Sequence, residues 1–316
     1  MVASSSQLRV FKMGINTHQE PVVYMRDDCD VCLSEGFSAS SRVGISSQGR
    51  SINATLNISS DETVPKGYAG LSDIAIERLG VAQSDLVSEH HAPYIESLSL
   101  VRRKVFGHSL LPAEMARIVS DISAHKYSDV EIACFLSACA GGRLGFDEIV
   151  ALTQAMVNCG QQLDWPGVDR VFDKHCVGGL PGNRTTPLVV SIVSAAGLVM
   201  PKTSSRAFTM EALTNVRLGL NEIRRVVRET GACLAWGGAM NLSPADDLLI
   251  RIERALDLDG EGQLVASVLS KKIAAGSTHA VIDIPVGETA KVRTPGDADR
   301  LASLFTSVGA ACGLKV

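Results

Sequence analysis

A glycine-rich turn between a strand and a helix constrains the fold of this chain more than any other segment. The sequence from 172 to 186 reads FDKHCVGGLPGNRTT, with three glycines within five positions. The apolar pattern predicts a strand over 168–173 and a helix over 187–198. The backbone amides of such a turn and the amino end of the following helix favour binding of a phosphate group. Lys174 and His175 would add side-chain donors at the carboxyl end of the strand.

Two other interpretations of this turn were weighed against phosphate binding. The spacing differs from Gly-x-x-x-x-Gly-Lys-Ser/Thr and Lys174 precedes the glycines, which argues against an ordinary P-loop nucleotide hydrolase. A tight strand-to-helix connection that binds nothing stays open as the structural alternative.

Composition and charge exclude several classes of protein. Of the 316 residues, 46% are hydrophobic and 20% are charged, which is typical of a folded protein and excludes a disordered chain. The net charge of -4 gives no indication of a nucleic-acid or anionic-membrane partner, so any phosphate must be attracted locally. The polar amino terminus lacks an apolar leader, and no apolar run reaches the roughly 18 residues that a membrane span needs. We therefore expect a cytoplasmic protein with no membrane partner.

Cysteines and paired histidines give weaker signals. Eight cysteines are spread without a disulfide framework, so we expect reduced, buried thiols. Cys29 and Cys32 form a single CxxC pair without a second pair, and we assign it neither a metal nor a redox function. His90 and His91 are interpreted as an exposed linker rather than as metal ligands.

The periodicity of the apolar residues changes along the chain and predicts three regions. Residues 1–90 carry short alternating runs and form a small β-rich amino-terminal domain. Residues 91–162 have the spacing of helices and form a helical lobe, to which residues 244–275 return. In residues 163–316 strands alternate with helices, which predicts a mostly parallel α/β phosphate- or nucleotide-binding domain, truncated at its carboxyl end. The expected fold class is therefore multidomain, with α+β and α/β parts. The predicted strands cover 8–12, 21–25, 42–46, 51–58, 168–173, 198–200, 232–236 and 280–285, and the predicted helices cover 71–79, 94–106, 112–125, 128–140, 146–158, 187–198, 221–230, 263–275 and 297–311.

Three downstream groups of polar residues are further candidates for ligand binding. Residues 202–209 follow a predicted strand and offer hydroxyls and two cations suited to phosphate or ribose, or else form a polar surface turn. Ser267 and Lys271 are four residues apart on a predicted helix and share one face, which either addresses a ligand or is solvated. Lys291 either reaches the same cleft or is exposed.

Four motifs in a fixed order resemble the thymidine phosphorylase family. They are KHxxGG at 174–179, SR at 205–206, SPAD at 243–246 and SxxxKK at 267–272. The sequence is most similar to the long branch of that family, the AMP phosphorylases and the bacterial proteins called "putative thymidine phosphorylases". That branch shares the sequence motifs at 181–183, 202–206, 261–264 and 283–285 and has an extra β-rich amino-terminal domain. The resemblance covers the entire chain.

The resemblance implies reversible phosphorolysis of the N-glycosidic bond of a nucleoside or nucleoside 5′-monophosphate. Inorganic phosphate would be the co-substrate, and no metal or organic cofactor would be needed. The transition state resembles an oxocarbenium ion, which an anionic nucleophile stabilises while a general acid helps the base to leave. The resemblance also implies a homodimer formed through the helical lobe.

The resemblance assigns roles to individual residues of this chain. The phosphate contacts would be Lys174, Cys176, Thr186 and Ser204. The substrate contacts would be Gly179, Ser205, Arg206, Ala207, Phe208, Thr209, Ser267 and Lys291, and Lys271 is added because it shares a helix face with Ser267. Asp259 matches the proton donor of the AMP phosphorylases and His175 matches the histidine assigned that role in thymidine phosphorylases. We favour Asp259, whose pKa would have to be raised by burial or by a neighbouring carboxylate.

Two departures from the family pattern bear on activity. Cys176 stands where the family usually has serine, which weakens one phosphate contact. Thr209 runs directly into Met210, where the family inserts a loop that closes over phosphate and sugar, and the family's remaining carboxyl-terminal portion is also missing. We therefore expect little or no turnover from the chain as written. The alternatives are a catalytically impaired phosphate- or nucleotide-binding protein and a phosphoribosyltransferase of the anthranilate type, although the acidic metal-binding pattern of the latter is not evident.

Overall fold

The computed structural model describes residues 7–60, 62–178, 184–204, 208–237, 242–258 and 260–316. The chain divides into two compact units, one formed by Met1–Leu98 with Ala124–Ile132 and the other by Ser99–Ser123 with Ala133–Val316. The first contains a β-barrel, and the second contains helices together with parallel strand pairs. The mixed α and β architecture predicted from the sequence is confirmed.

Six strands of the first unit close into a barrel. They are β1 (Gln7–Lys12), β2 (Val22–Arg26), β3 (Arg42–Ser47), β4 (Arg50–Ser59), β5 (Tyr68–Leu71) and β6 (Leu86–His91), joined in the order β1-β5-β2-β4-β3-β6. The β1–β5 and β2–β4 pairs are parallel, and the other pairs are antiparallel. Alternating positions such as Val10, Val23 and Ile45 are fully buried in the barrel, because successive strand residues face opposite sides.

The first four strands were predicted, whereas β5 and β6 were missed. The interpretation of His90 and His91 as a linker is wrong, because both lie in β6 and pair with Gly44 and Val43 of β3, although both side chains are exposed. Strand β6 was missed because its sequence is polar. Its place in the barrel is fixed by backbone pairing to β1 and β3. Two short helices pack on the barrel, α1 (Asp30–Glu35), which was also missed, and α2 (Asp73–Leu79).

Most helices of the second unit were predicted to within a few residues, whereas the helix at Pro244–Leu256 was not predicted. The helices include α3 (Leu98–Val105), α4 (Pro112–Ser123), α5 (Asp129–Cys139), α6 (Phe146–Asn158), α10 (Pro244–Leu256) and α11 (Glu261–Ala274). Helix α11 packs along α6, and α10 packs against α4. A buried ion pair joins α3 to α6, with Lys104 Nζ 2.6 Å from Glu148 Oε1, and the same carboxylate accepts backbone N–H groups of Leu110 and Gly145.

Parallel strand pairs form the α/β part of the second unit. Its elements are β7 (Phe172–Cys176), α7 (Thr185–Ala195), β8 (Met200–Ser204), α8 (Phe208–Glu211), α9 (Leu220–Thr230), β9 (Ala232–Trp236), β10 (His279–Asp283) and α12 (Pro295–Ala311). Strand β10 pairs with β7 and β8 pairs with β9, and a parallel bridge between Val171 and Val199 connects the two pairs. All four strands therefore end at one edge. None of the helices in the described part of the chain has the length and apolar character needed to cross a membrane.

Two strands lie further along the chain than the sequence predicts. The structure has β7 at Phe172–Cys176 rather than over 168–173, and β8 at Met200–Ser204 rather than over 198–200. The hydropathy pattern was misleading because Asp173, Lys174 and Lys202 are charged yet buried within these strands. Lys174, His175 and Cys176 thus belong to the strand itself, and the glycine-rich turn begins after them.

Candidate functional site: a lysine cluster at the carboxyl edge of the parallel strands

A buried carboxylate organises the charges at this edge. The Asp173 side chain is fully buried, with Oδ2 2.6 Å from Lys272 Nζ and Oδ1 3.6 Å from Lys202 Nζ. Its Oδ1 also accepts the backbone N–H of Lys174 at 2.6 Å. Burying these charges is tolerated because each has a partner of opposite sign. Strands β7 and β8 and helix α11 are thereby joined through one acidic residue.

Two further lysines lie near this centre, each with its own carboxylate. Lys174 Nζ lies 3.2 Å from Asp283 Oδ2, on the neighbouring strand β10, and 3.2 Å from Thr185 Oγ1, at the start of α7. Lys271 Nζ lies 2.5 Å from Asp246 Oδ2 of α10. Lys174, Lys202, Lys271 and Lys272 are called the lysine cluster below. The amino groups of all four lysines can donate N–H groups to an anion.

His175 lies within the electrostatic reach of the whole lysine cluster. Burial lowers the pKa of His175 well below its usual 6.5, and the charges of Lys272, Lys202, Lys271 and Lys174 lower it further. The imidazole is therefore neutral at neutral pH. Burial also lowers the pKa of Lys272 from 10.5 to about 7, although the charge of Asp173 opposes that shift. An anion bound at this edge would offset the repulsion between the lysine charges and a protonated His175.

Helix α10 carries a second carboxylate, Asp247, next to Asp246. Burial, with a smaller contribution from the charge of Asp246, raises the pKa of Asp247 to about 6. A carboxyl group with this pKa can hold or release a proton near neutral pH. The described residues contain no group of three or more His, Cys, Asp or Glu side chains placed to hold a metal ion.

Comparisons with known proteins identify the chain's relatives. Residues 98–160 match the model for "Glycosyl transferase family, helical bundle domain". The chain is 55% identical over 313 residues to the "Putative thymidine phosphorylase" of Hahella chejuensis, which covers 96% of this chain and 62% of that protein. The resemblance to the thymidine phosphorylase family is confirmed. A protein of the same name from Polaromonas sp. is 54% identical over 318 residues, 98% of this chain and 62% of its own length. The chain thus spans less than two thirds of these thymidine phosphorylase relatives.

A solved structure gives the same fold with little sequence identity. The anthranilate phosphoribosyltransferase of Thermus thermophilus superimposes with a TM-score of 0.52 and 20% identity, covering 66% of this chain and 63% of that one. At this identity the likeness concerns the fold alone.

Several of the residues suggested by the thymidine phosphorylase resemblance converge at the carboxyl edge. Lys174 and Cys176 lie in β7, and Ser204 ends β8. Thr186 is partly buried in the first turn of α7. Lys271 Nζ donates to Ser267 Oγ at 3.3 Å, so these two side chains do share a helix face.

Lys291 is exposed and packs beside the glycine-rich turn. A β-carbon placed on Gly178 would lie 2.6 Å from Lys291 Cβ, so this lysine adjoins the end of β7. Other predicted residues fall outside the described part of the chain, namely Gly179, Ser205, Arg206, Ala207 and Asp259. Phe208 and Thr209 begin α8, and their side chains are likewise outside the description.

Sequence reasoning missed the carboxylates that hold the lysines in place. Asp173 lies in β7, Asp283 lies in the neighbouring strand β10, and Asp246 lies in the first turn of α10. None of the three was proposed as a site residue. Lys202 was a candidate phosphate or ribose contact within residues 202–209, whereas Lys272 appeared in a family motif without a role. The signal that could have found them is a charged residue inside an otherwise apolar strand or helix face. Such a residue indicates a buried ion pair, because charged side chains are buried only when they are paired.

Proposed function

We propose that this protein binds inorganic phosphate at the lysine cluster and catalyses reversible phosphorolysis of the N-glycosidic bond of a nucleoside or nucleoside 5′-monophosphate. The observation that carries the proposal is the convergence of four lysines on the carboxyl edge beside the amino end of α7. Edges of this kind are where open α/β sheets hold anionic ligands. The names of the relatives support the same reaction class.

The proposed chemistry divides between phosphate and a proton donor. Phosphate held by Lys174 would attack the anomeric carbon of the sugar while the base leaves from the opposite face. Because burial and the cluster's charges keep His175 neutral, it would hold a catalytic proton as imidazolium only when the dianion offsets those charges. Asp259 remains our preferred donor on the strength of the resemblance. No metal or organic cofactor enters the proposed reaction.

The finer assignments rest on the long-branch motifs. We propose a cytoplasmic homodimer that prefers nucleoside 5′-monophosphates, as the AMP phosphorylase wording at 202–206 and 261–264 suggests. The 5′-phosphate would then contribute to transition-state binding. Removing it from the substrate should lower kcat/KM, and an unchanged value would reject the nucleotide assignment.

The test of the reaction is phosphate-dependent release of free base. The protein is incubated with phosphate and, separately, with AMP, CMP, UMP and thymidine, and the products are separated by chromatography. We expect release that disappears without phosphate and in the Lys174→Met variant. Lys66→Met, which removes an exposed lysine of the barrel, is the matched control and should retain activity. No release by a folded protein that still binds phosphate would contradict the proposed reaction while leaving the phosphate site intact.

A further inference from the structure

The barrel carries a CxxC pair and a buried acid whose oxygens have no hydrogen-bond partner among the described residues. Cys29 directly precedes α1 and is half-buried, and Cys32 is buried within the same turn. Residues three apart on a helical turn lie side by side, within the range that a disulfide spans. The Cys32 thiol donates to Met25 Sδ at 3.7 Å. The neighbouring Cys32 side chain is the main reason why the pKa of Cys29 falls from 9.0 to about 6.

Glu89 is the unusual residue of the barrel interior. It occupies an inward position of β6, two residues from Val87, and pairs in register with Ile45 of β3. The side chain is 8% exposed, and neither carboxylate oxygen makes a hydrogen bond to a neighbour in the described part of the chain. Burial, with a smaller contribution from the charge of Cys29, raises the pKa of Glu89 from 4.5 to about 8. A buried acid without a partner is costly to fold and points to a functional role.

Contacts between β6 and α1 hold the acid and the thiols in one region. His91 Nε2 of β6 lies 3.5 Å from Glu35 Oε2 of α1, and the His91 ring packs edge-on against Phe37 at 4.9 Å. Cys32 belongs to the same apolar cluster as Val87, and Cys29 packs against it.

We propose that Cys29 and Cys32 form a redox-active dithiol that exchanges with external disulfides, with Glu89 as the acceptor of the Cys32 proton. The Cys29 thiolate attacks one sulfur of the external disulfide, forms a mixed disulfide and expels the other sulfur as a thiolate, which takes a proton from water. The ionised fraction of Glu89 then accepts the proton of Cys32, whose sulfur attacks Cys29 and releases the second thiolate, and that thiolate takes up the proton from Glu89. Two electrons thus pass from the dithiol to the external disulfide, which becomes two thiols.

Wild-type protein tests the first step without any mutation. Alkylation by iodoacetamide at pH 6, followed by peptide mass spectrometry, compares Cys29 with the exposed Cys134. The larger thiolate fraction of Cys29, reduced by the lower nucleophilicity of a low-pKa thiolate, gives an expected rate advantage of about tenfold. Equal rates would overturn the proposal.

The second step is tested with oxidised glutathione. Wild-type protein should gain a Cys29–Cys32 disulfide and lose two hydrogens, whereas Cys32→Ser should stall with glutathione attached to Cys29. Glu89→Gln should slow the second step at pH 7 by about tenfold or more without slowing alkylation of Cys29. Glu77→Gln, a change at an exposed position of α2, should leave both steps unchanged. Absence of the mixed disulfide in Cys32→Ser, or equal second-step rates in wild type and Glu89→Gln, would contradict the assigned roles.

Discussion

Lys272 makes the stability of the second unit depend on pH in the alkaline range. Its Nζ is buried against Asp173, and burial lowers its pKa to about 7 in the folded chain, against 10.5 for an ordinary lysine. Between these two values the unfolded chain holds a proton that the folded chain has released. Raising the pH therefore stabilises the folded state, by about 1.4 kcal/mol per pH unit.

The Lys272→Met variant isolates this contribution. Between pH 7.5 and 9.5, the wild-type free energy of unfolding should rise by about 2.7 kcal/mol more than that of the variant, since one linked proton acts over two pH units. Other titrating groups are common to both proteins and cancel in the comparison. Asp173 keeps Lys202 and the Lys174 amide as partners, so the variant retains a satisfied carboxylate.

The measurement is urea unfolding followed by tryptophan fluorescence at the two pH values. The chain has two tryptophans, Trp165 and Trp236, and both lie in the second unit, so the signal reports on that unit. Lys291→Met is the matched control, because Lys291 is an exposed lysine of the same unit, and it should keep the wild-type slope. Equal pH dependence in wild type and Lys272→Met would show that Lys272 stays charged in the folded protein, which would refute the reasoning.

Two further substitutions test the packing around the site. Glu148→Gln leaves the Lys104 ammonium buried without a counter-charge and should lower the free energy of unfolding by about 3–5 kcal/mol in urea titrations; a loss below about 1 kcal/mol would contradict the buried-pair argument. Gly178→Ala should destabilise the chain by about 1–3 kcal/mol more than Gly167→Ala, because both glycines have positive φ but only the first would place a β-carbon against Lys291. Equal thermal stability of the two alanine variants would show that Lys291 moves aside freely.

The elements with strong periodicity were predictable from the sequence. Helix α6 and strand β9 have the predicted bounds, because their apolar spacing agrees with their burial. Strand β6 was missed since its role comes from backbone pairing around a closed barrel, which a hydropathy pattern does not contain. The expectation of buried cysteines also fails at Cys134, which is exposed on α5, although all eight cysteines are free.

The sequence predicted the cationic side chains of the candidate site but not the aspartates that pair with them. The motif around Lys174 and His175 predicted a site at the carboxyl end of a strand. In the structure, the carboxyl ends of four neighbouring strands form that edge. The pairing of Asp173 with Lys202 and Lys272 depends on residues up to 99 positions apart and on which strands are neighbours. Such long-range charge pairs become visible only when the topology is known.

Binding of inorganic phosphate to the lysine cluster is the most direct test of this account. Calorimetric titration of the full chain at pH 7 should show saturable binding, and Lys174→Met should weaken it about tenfold or more, as expected for loss of one charge-assisted hydrogen bond. Lys66→Met should bind as wild type. Absence of phosphate binding by folded wild-type protein, or equal affinity in Lys174→Met, would contradict the claim that this edge is a phosphate site.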